Sequence, residues 1–115
     1  MAYIDGFLIP VPTAKKEKYL ETSKGWTSKC KAAGALRVID YWGDDVPDGK
    51  VTSFPMAVKL EPGETVVLSI IEWPDKATRD AGNAKMREDP EMMSMEMPFD
   101  GKRMIFAGFE KINES

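Results

Sequence analysis

A four-stranded α+β sandwich with two helices is the fold this sequence predicts, and three observations predict it. Alternating apolar runs mark four strands, spacings of three and four residues mark two helices, and the elements alternate as strand, helix, strand, then strand, helix, strand. The 115 residues and 43% hydrophobic content suit one domain, residues 1–115, long enough to bury a core and too short for two.

The elements justify themselves in order. Residues 3–11 set Tyr3, Asp5, Phe7, Ile9 and Val11 against Ile4, Gly6 and Leu8, and Pro10 and Pro12 close the run as a strand. Thr13 is the expected N-cap of a helix in which Tyr19, Ser23, Trp26, Cys30 and Ala33 recur on one face until Gly34 stops it. Residues 35–42 alternate again, with Leu36, Val38, Asp40 and Trp42 on one side. An acidic, turn-rich loop over 43–49 leads to an extended segment, 51–60, broken by Pro55, and then to the turn Glu61-Pro62-Gly63-Glu64. Residues 65–73 are the strongest strand, since β-branched side chains occupy both faces. Asp75 caps a second helix whose Ala77, Ala81 and Ala84 form a small-residue stripe suited to close approach, and Pro90 requires it to end by Asp89. A methionine-rich connector, 91–101, precedes a last strand over 103–112.

This is the ferredoxin-like βαββαβ arrangement with an insert between strands 2 and 3. Two helices cover one face of such a sheet, yet three of its strands are apolar on both faces. The uncovered face needs a partner, and pairing two sheets face to face gives a homodimeric α/β barrel with an inter-subunit cavity.

The runs Asp5-Gly6-Phe7, Gly43-Asp44-Asp45-Val46-Pro47, Gly49-Lys50-Val51-Thr52-Ser53-Phe54-Pro55, Asn83-Ala84-Lys85 and Met97-Pro98-Phe99-Asp100-Gly101-Lys102-Arg103-Met104-Ile105 resemble the YbaA-like bacterial family, domain of unknown function 1428. The resemblance spans nearly the whole chain. It implies the dimeric ferredoxin-like α/β-barrel fold and no activity.

Composition removes several functions. A net charge of −3 supplies no field for phosphates, which argues against nucleic acid. The single cysteine, Cys30, cannot form an internal disulfide, and the N-terminus lacks a basic leader. With no apolar run long enough to span a bilayer, the expected location is the cytoplasm and not a membrane. The absence of histidine takes away the usual near-neutral proton shuttle, the commonest zinc ligand and the usual haem ligand. No metal and no cofactor are expected.

Several residues are weighed as sites. Residues 43–50 fail as a phosphate loop, because the second glycine falls one residue late and Val51 stands where Ser or Thr is needed; they fail as a calcium loop at Val46 and Pro55. They read as a capped surface turn, and Asp44, Asp45 and Lys50, with Asp100 and Lys102, form a candidate contact surface. Met92, Met93, Met95 and Met97 read as adaptable apolar filler, Cys30 as a buried inert thiol, and the six lysines between 15 and 31 as a solvated face. The sharpest candidate is a pocket of Asp5, Asp40, Trp42, Glu72, Trp73 and Arg103. Strand parity sets Asp5, Asp40 and Glu72 among large apolar residues, and the expectation is that all three share one sheet face. Paired by Arg37 or Arg103 they are structural; unpaired in a cavity, one becomes a ligand anchor or general base.

The leading functional expectation is a homodimer binding a small, partly apolar molecule in the inter-subunit cavity without metal or haem. A cofactor-independent oxygenase or isomerase using a cavity carboxylate is the enzymatic alternative. A protein-interaction module working through its loops is the third.

Overall fold

The runs richest in β-branched and aromatic residues form the centre of the sheet. In the computed structural model, which describes residues 2–115, β1 (Tyr3–Pro12) pairs antiparallel with β3 (Glu64–Trp73) from Tyr3↔Trp73 to Pro12↔Glu64. β2 (Arg37–Trp42) flanks β3 and β4 (Ile105–Glu110) flanks β1, so the order is β2-β3-β1-β4, all antiparallel. This is the ferredoxin-like topology. Pro10 is tolerated in a central strand because β4 pairs with β1 only as far as Leu8↔Ile105, leaving that flank without a ladder partner.

Helices α1 (Lys16–Ala32) and α3 (Lys76–Arg87) cover one face; two short helices, α2 (Phe54–Ala57) and α4 (Pro90–Ser94), lie in the connections. The strand register puts Asp5, Phe7, Ile9 and Val11 beside Ile71, Ser69, Val67 and Thr65 on the helix-covered face. Val38, Asp40 and Trp42 of β2 join them. Trp73 and Ile71 are sealed there with Cys30, Ala35 and Met86, while Ile9, Val11, Tyr19 and Val67 form a second cluster, and Phe7 touches both. Full burial of such a side chain contributes about 1.5–3 kcal/mol. None of the described helices is long and apolar enough to cross a membrane.

The helix stripe Tyr19, Ser23, Trp26, Cys30 and Ala33 faces the sheet as expected, and Gly34 ends α1 with φ +114. Asp75 caps α3 by accepting the Thr78 N–H at 2.7 Å. Three expectations are corrected. Thr13 does not cap α1; its N–H and hydroxyl both donate to the Gly63 carbonyl, at 2.8 and 3.1 Å, and a 3-10 turn intervenes. Residues 51–60 are not extended throughout, since Ser53 caps α2 and Pro55 sits in its first turn, where a missing N–H costs nothing. The Ala77, Ala81 and Ala84 stripe is exposed. Close approach is made instead by Gly82, where a Cβ would stand 2.6 Å from two Trp73 ring atoms.

The other sheet face carries neither α1 nor α3; among the described helices only Phe54 of the short α2 borders it, beside Val66. Tyr41, Leu68, Ile105 and Phe109 are exposed on it, beside Ile4, Leu8, Ile39 and Ile70.

Gly82→Ala should therefore destabilise the protein by ~1–3 kcal/mol through overpacking, although alanine is the better helix former by ~1 kcal/mol. Ala81→Gly, one position away and exposed, should lose only that propensity. Urea denaturation checks both, and a neutral or stabilised Gly82→Ala protein would remove the close approach as the reason for this glycine.

Candidate functional site

Between α1 and the sheet the side chains leave a cavity of about 210 Å³. Phe7 and Ile9 of β1 and Ser69 of β3 form its floor, and Tyr19, Thr22, Ser23 and Trp26 of α1 form its roof. The connector before β4 supplies Met97, Phe99, Gly101 and Met104 as the outer wall. Tyr19 and Phe99 meet at 6.2 Å between ring centroids, and Phe7 meets Trp26 edge-on at 6.5 Å. The wall is almost wholly apolar, so a guest gains by leaving water.

One carboxylate stands directly behind that wall. Asp40 lies on β2 opposite Ser69, and α1 brings Tyr19 and Ser23, four residues apart on one face, down onto it. The Tyr19 hydroxyl donates to Oδ1 at 3.0 Å and the Ser23 hydroxyl donates to Oδ2. Burial, and then the negative Asp40, push the Tyr19 phenol far above its ordinary range, with the Ser69 hydroxyl opposing weakly. Tyr19 is therefore a neutral hydroxyl. Cys30, deeper in the core, is pushed up to about 12 by burial and by the Asp5 and Asp40 carboxylates, which makes it an inert thiol.

The remaining candidate pocket residues do not converge. Asp5 shares the helix-covered face with Asp40, but it is sealed under α3 at 2% exposure. It accepts from Trp73 Nε1 at 3.0 Å, Arg79 Nε at 2.9 Å and Asn83 Nδ2 at 3.3 Å. A second Arg79 contact, from Nη2, is 2.8 Å long. Its arginine is thus Arg79, and neither Arg37 nor Arg103. The Asp5 contact raises the Arg79 guanidinium further above its already high range, and the same side chain lies over the Tyr3 ring. Glu72 corrects the single-face expectation: it points to the opposite face, because its register partner there is Ile4, and it pairs with Arg37. Parity shows which residues of one strand share a face, but the pairing register relates one strand to the next. Trp73 is core and donates to Asp5, while Trp42 packs on the second cluster beneath the Lys16 ammonium.

Arg103 has a different task. Its Nη1 and Nη2 clamp both Glu64 oxygens at 2.7 Å, its Nε reaches Asp100 at 3.0 Å, and Nη1 also reaches the Lys59 carbonyl at 3.1 Å. This bidentate pair ties the cavity-closing connector to the start of β3. Asp100 accepts the Lys102 N–H as a turn, and Asp44, Asp45, Lys50 and Lys102 are exposed. The loop after β2 and the turn before β4 leave opposite edge strands, and among the described residues no hydrogen bond or ion pair joins them.

Tyr19, Ser23, Ser69, Phe99 and Met104 are cavity residues that strand parity does not reveal. The available signal was Ser23 inside a buried helical stripe, where a hydroxyl requires a partner. Of the methionines, Met97 lines the cavity, Met92 packs against the core and Met93 is exposed.

The family model described as "Protein of unknown function (DUF1428)" matches residues 2–101. The uncharacterized protein YbaA of Escherichia coli strain K12 is 54% identical over 114 residues, covering 97% of each chain. The Shigella flexneri protein of the same name matches to the same extent. A dimeric ferredoxin-like protein from an uncultured marine organism superposes with a TM-score of 0.51 at 12% identity, covering 95% of this chain and 92% of that one. That likeness is one of fold.

Two outcomes follow from the site geometry. Asp5→Ala strands the buried Trp73 indole N–H and removes one partner of the partly buried Arg79, and should cost ~1–3 kcal/mol in denaturant unfolding; an unchanged stability would show that the cluster does not hold α3. For Glu64, the Arg103 hydrogen bond is the main cause holding the carboxyl below its ordinary value of 4.5. Its contribution is complete above that value and is lost as pH falls through the lower folded value. Met104 methyl resonances should report loosening of the connector there in the wild type. An acid transition unchanged in Glu64→Gln would disprove the clamp.

Proposed function

The chain belongs to the family described as Protein of unknown function (DUF1428), whose description carries no activity, and we propose from the site itself that it is a homodimeric domain holding a small, largely apolar molecule beneath α1. The observation that carries this reading is the cavity with aromatic and methionine walls and a single hydroxyl cluster. An apolar cavity of about 150 Å³ holds benzene, and sites for drug-sized ligands run to about 300–1,000 Å³. A space of about 210 Å³ therefore suits one substituted ring or a short branched chain. This site lies within one chain, on the sheet face opposite the one open to a partner, where an inter-subunit cavity would form.

Binding is favoured over proton abstraction because Asp40 does not line the cavity and each of its oxygens already accepts a hydroxyl proton. A base needs direct reach to the proton it removes. The homodimer rests on the face away from α1 and α3, whose exposed Tyr41, Leu68, Ile105 and Phe109 favour burial against a second copy of the same face. The fold neighbour described as dimeric is in keeping with it.

Light scattering at tens of micromolar should give twice the 12.9 kDa chain mass; the monomer mass would remove the dimer. Toluene should shift the Met97 and Met104 methyl resonances saturably. Thr22→Leu, which fills the space from the roof, should abolish that shift while retaining the fold. A shift that survives the filled cavity would place the binding elsewhere.

A further inference from the structure

We infer that the cavity beneath α1 selects guests that donate a hydrogen bond, phenols or alcohols in preference to ethers and hydrocarbons, and that it turns carboxylates away; this rests on the cavity being a binding site, as proposed above. The reason is where the hydroxyl protons go. A carboxylate only accepts, and a hydroxyl carries one proton. Tyr19 gives its proton to Asp40 Oδ1 at 3.0 Å, and Ser23 gives its proton to Oδ2. What these two side chains have left for the cavity is lone pairs.

Of the other two hydroxyls of the wall, one is committed as well. Thr22 donates to the Lys18 carbonyl at 2.9 Å, one helical turn back. Ser69 is the one remaining hydroxyl, and it lies near enough to the Tyr19 phenol to oppose its upward shift. A guest that brings only acceptors meets Ser69 as its single donor, and without that one contact its polar atom is desolvated uncompensated. A guest that brings an O–H meets an oxygen already polarised by its bond to a carboxylate, which strengthens the new bond. An anion fares worst, since no lysine or arginine lines the cavity and the charge behind the wall is negative.

The test titrates the full chain with p-cresol, p-xylene, anisole and benzoate, following the Met97 and Met104 methyl resonances. p-Cresol should bind about tenfold more tightly than p-xylene or anisole, equal to ~1.4 kcal/mol, and benzoate should not bind. Asp40→Asn puts an amide donor against one of the two hydroxyls, which must then accept and release its proton toward the cavity. The p-cresol preference over anisole should shrink or reverse in that variant. If p-cresol, p-xylene and anisole bind the wild type equally, or benzoate binds as tightly as p-cresol, the donor rule is overturned while the cavity stands. If no probe moves either methyl, the cavity reading falls and the donor rule falls with it. The ranking on the unaltered protein decides the matter whether or not the Asn variant folds.

Discussion

A carboxylate buried on a central strand must be met by donors on every side, and the way Asp5 is met organises the helix layer. Trp73 reaches it from β3, and Arg79 and Asn83 reach it from α3. These contacts hold α3 over one end of the central strand pair at a distance that only Gly82 permits, with the Trp73 ring filling the space a side chain would need. The charge is compensated, so the cost of burying it is offset by the hydrogen bonds it accepts. Asp5 is spent on structure, which leaves Asp40 as the carboxylate next to free volume.

The cavity follows from that division. α3 covers the Trp73 end of the sheet, and α1 must bridge both core clusters with a face carrying Tyr19, Ser23 and Trp26 between Lys16 and Cys30. Aromatic rings at that spacing leave gaps that the floor side chains Phe7, Ile9 and Ser69 do not fill, and the chain closes the side with a connector instead of another helix. The connector is held at its far end by the Arg103 and Glu64 pair. Methionine suits such a wall because its unbranched, polarisable side chain adapts to an irregular space.

The two faces of the sheet consequently have separate roles. One supports the helices, the buried Asp5 cluster and the cavity; the other is an apolar surface framed by the Arg37 and Glu72 pair and the loop after β2. In a dimeric assembly through the open face, each chain would keep its cavity on the outer side of the joined sheets. Ligand contacts would then be complete within one chain, and association would act on the site only through the sheet between them.

The architecture was legible in the sequence because periodicity is a local property. Alternation along residues 3–11 and 65–73, the stripe from Tyr19 to Ala33, the Gly34 stop and the Asp75 cap each depend on neighbours a few residues away, and each holds in the structure. The shared motifs pointed to the family for the same reason, being contiguous runs. Tertiary structure alone decided which face each strand presents, since the pairing register and not parity puts Glu72 opposite Asp5 and Asp40. It also decided that Arg79, 74 residues away in the chain, answers Asp5, and that Tyr19 and Ser23 answer Asp40. The alanine stripe misled because small residues are equally at home on a solvated helix face, and only the contact with Trp73 shows which side of α3 lies against the sheet. A cavity is the extreme case: it is made by side chains that fail to meet, and no pattern within a single element records that.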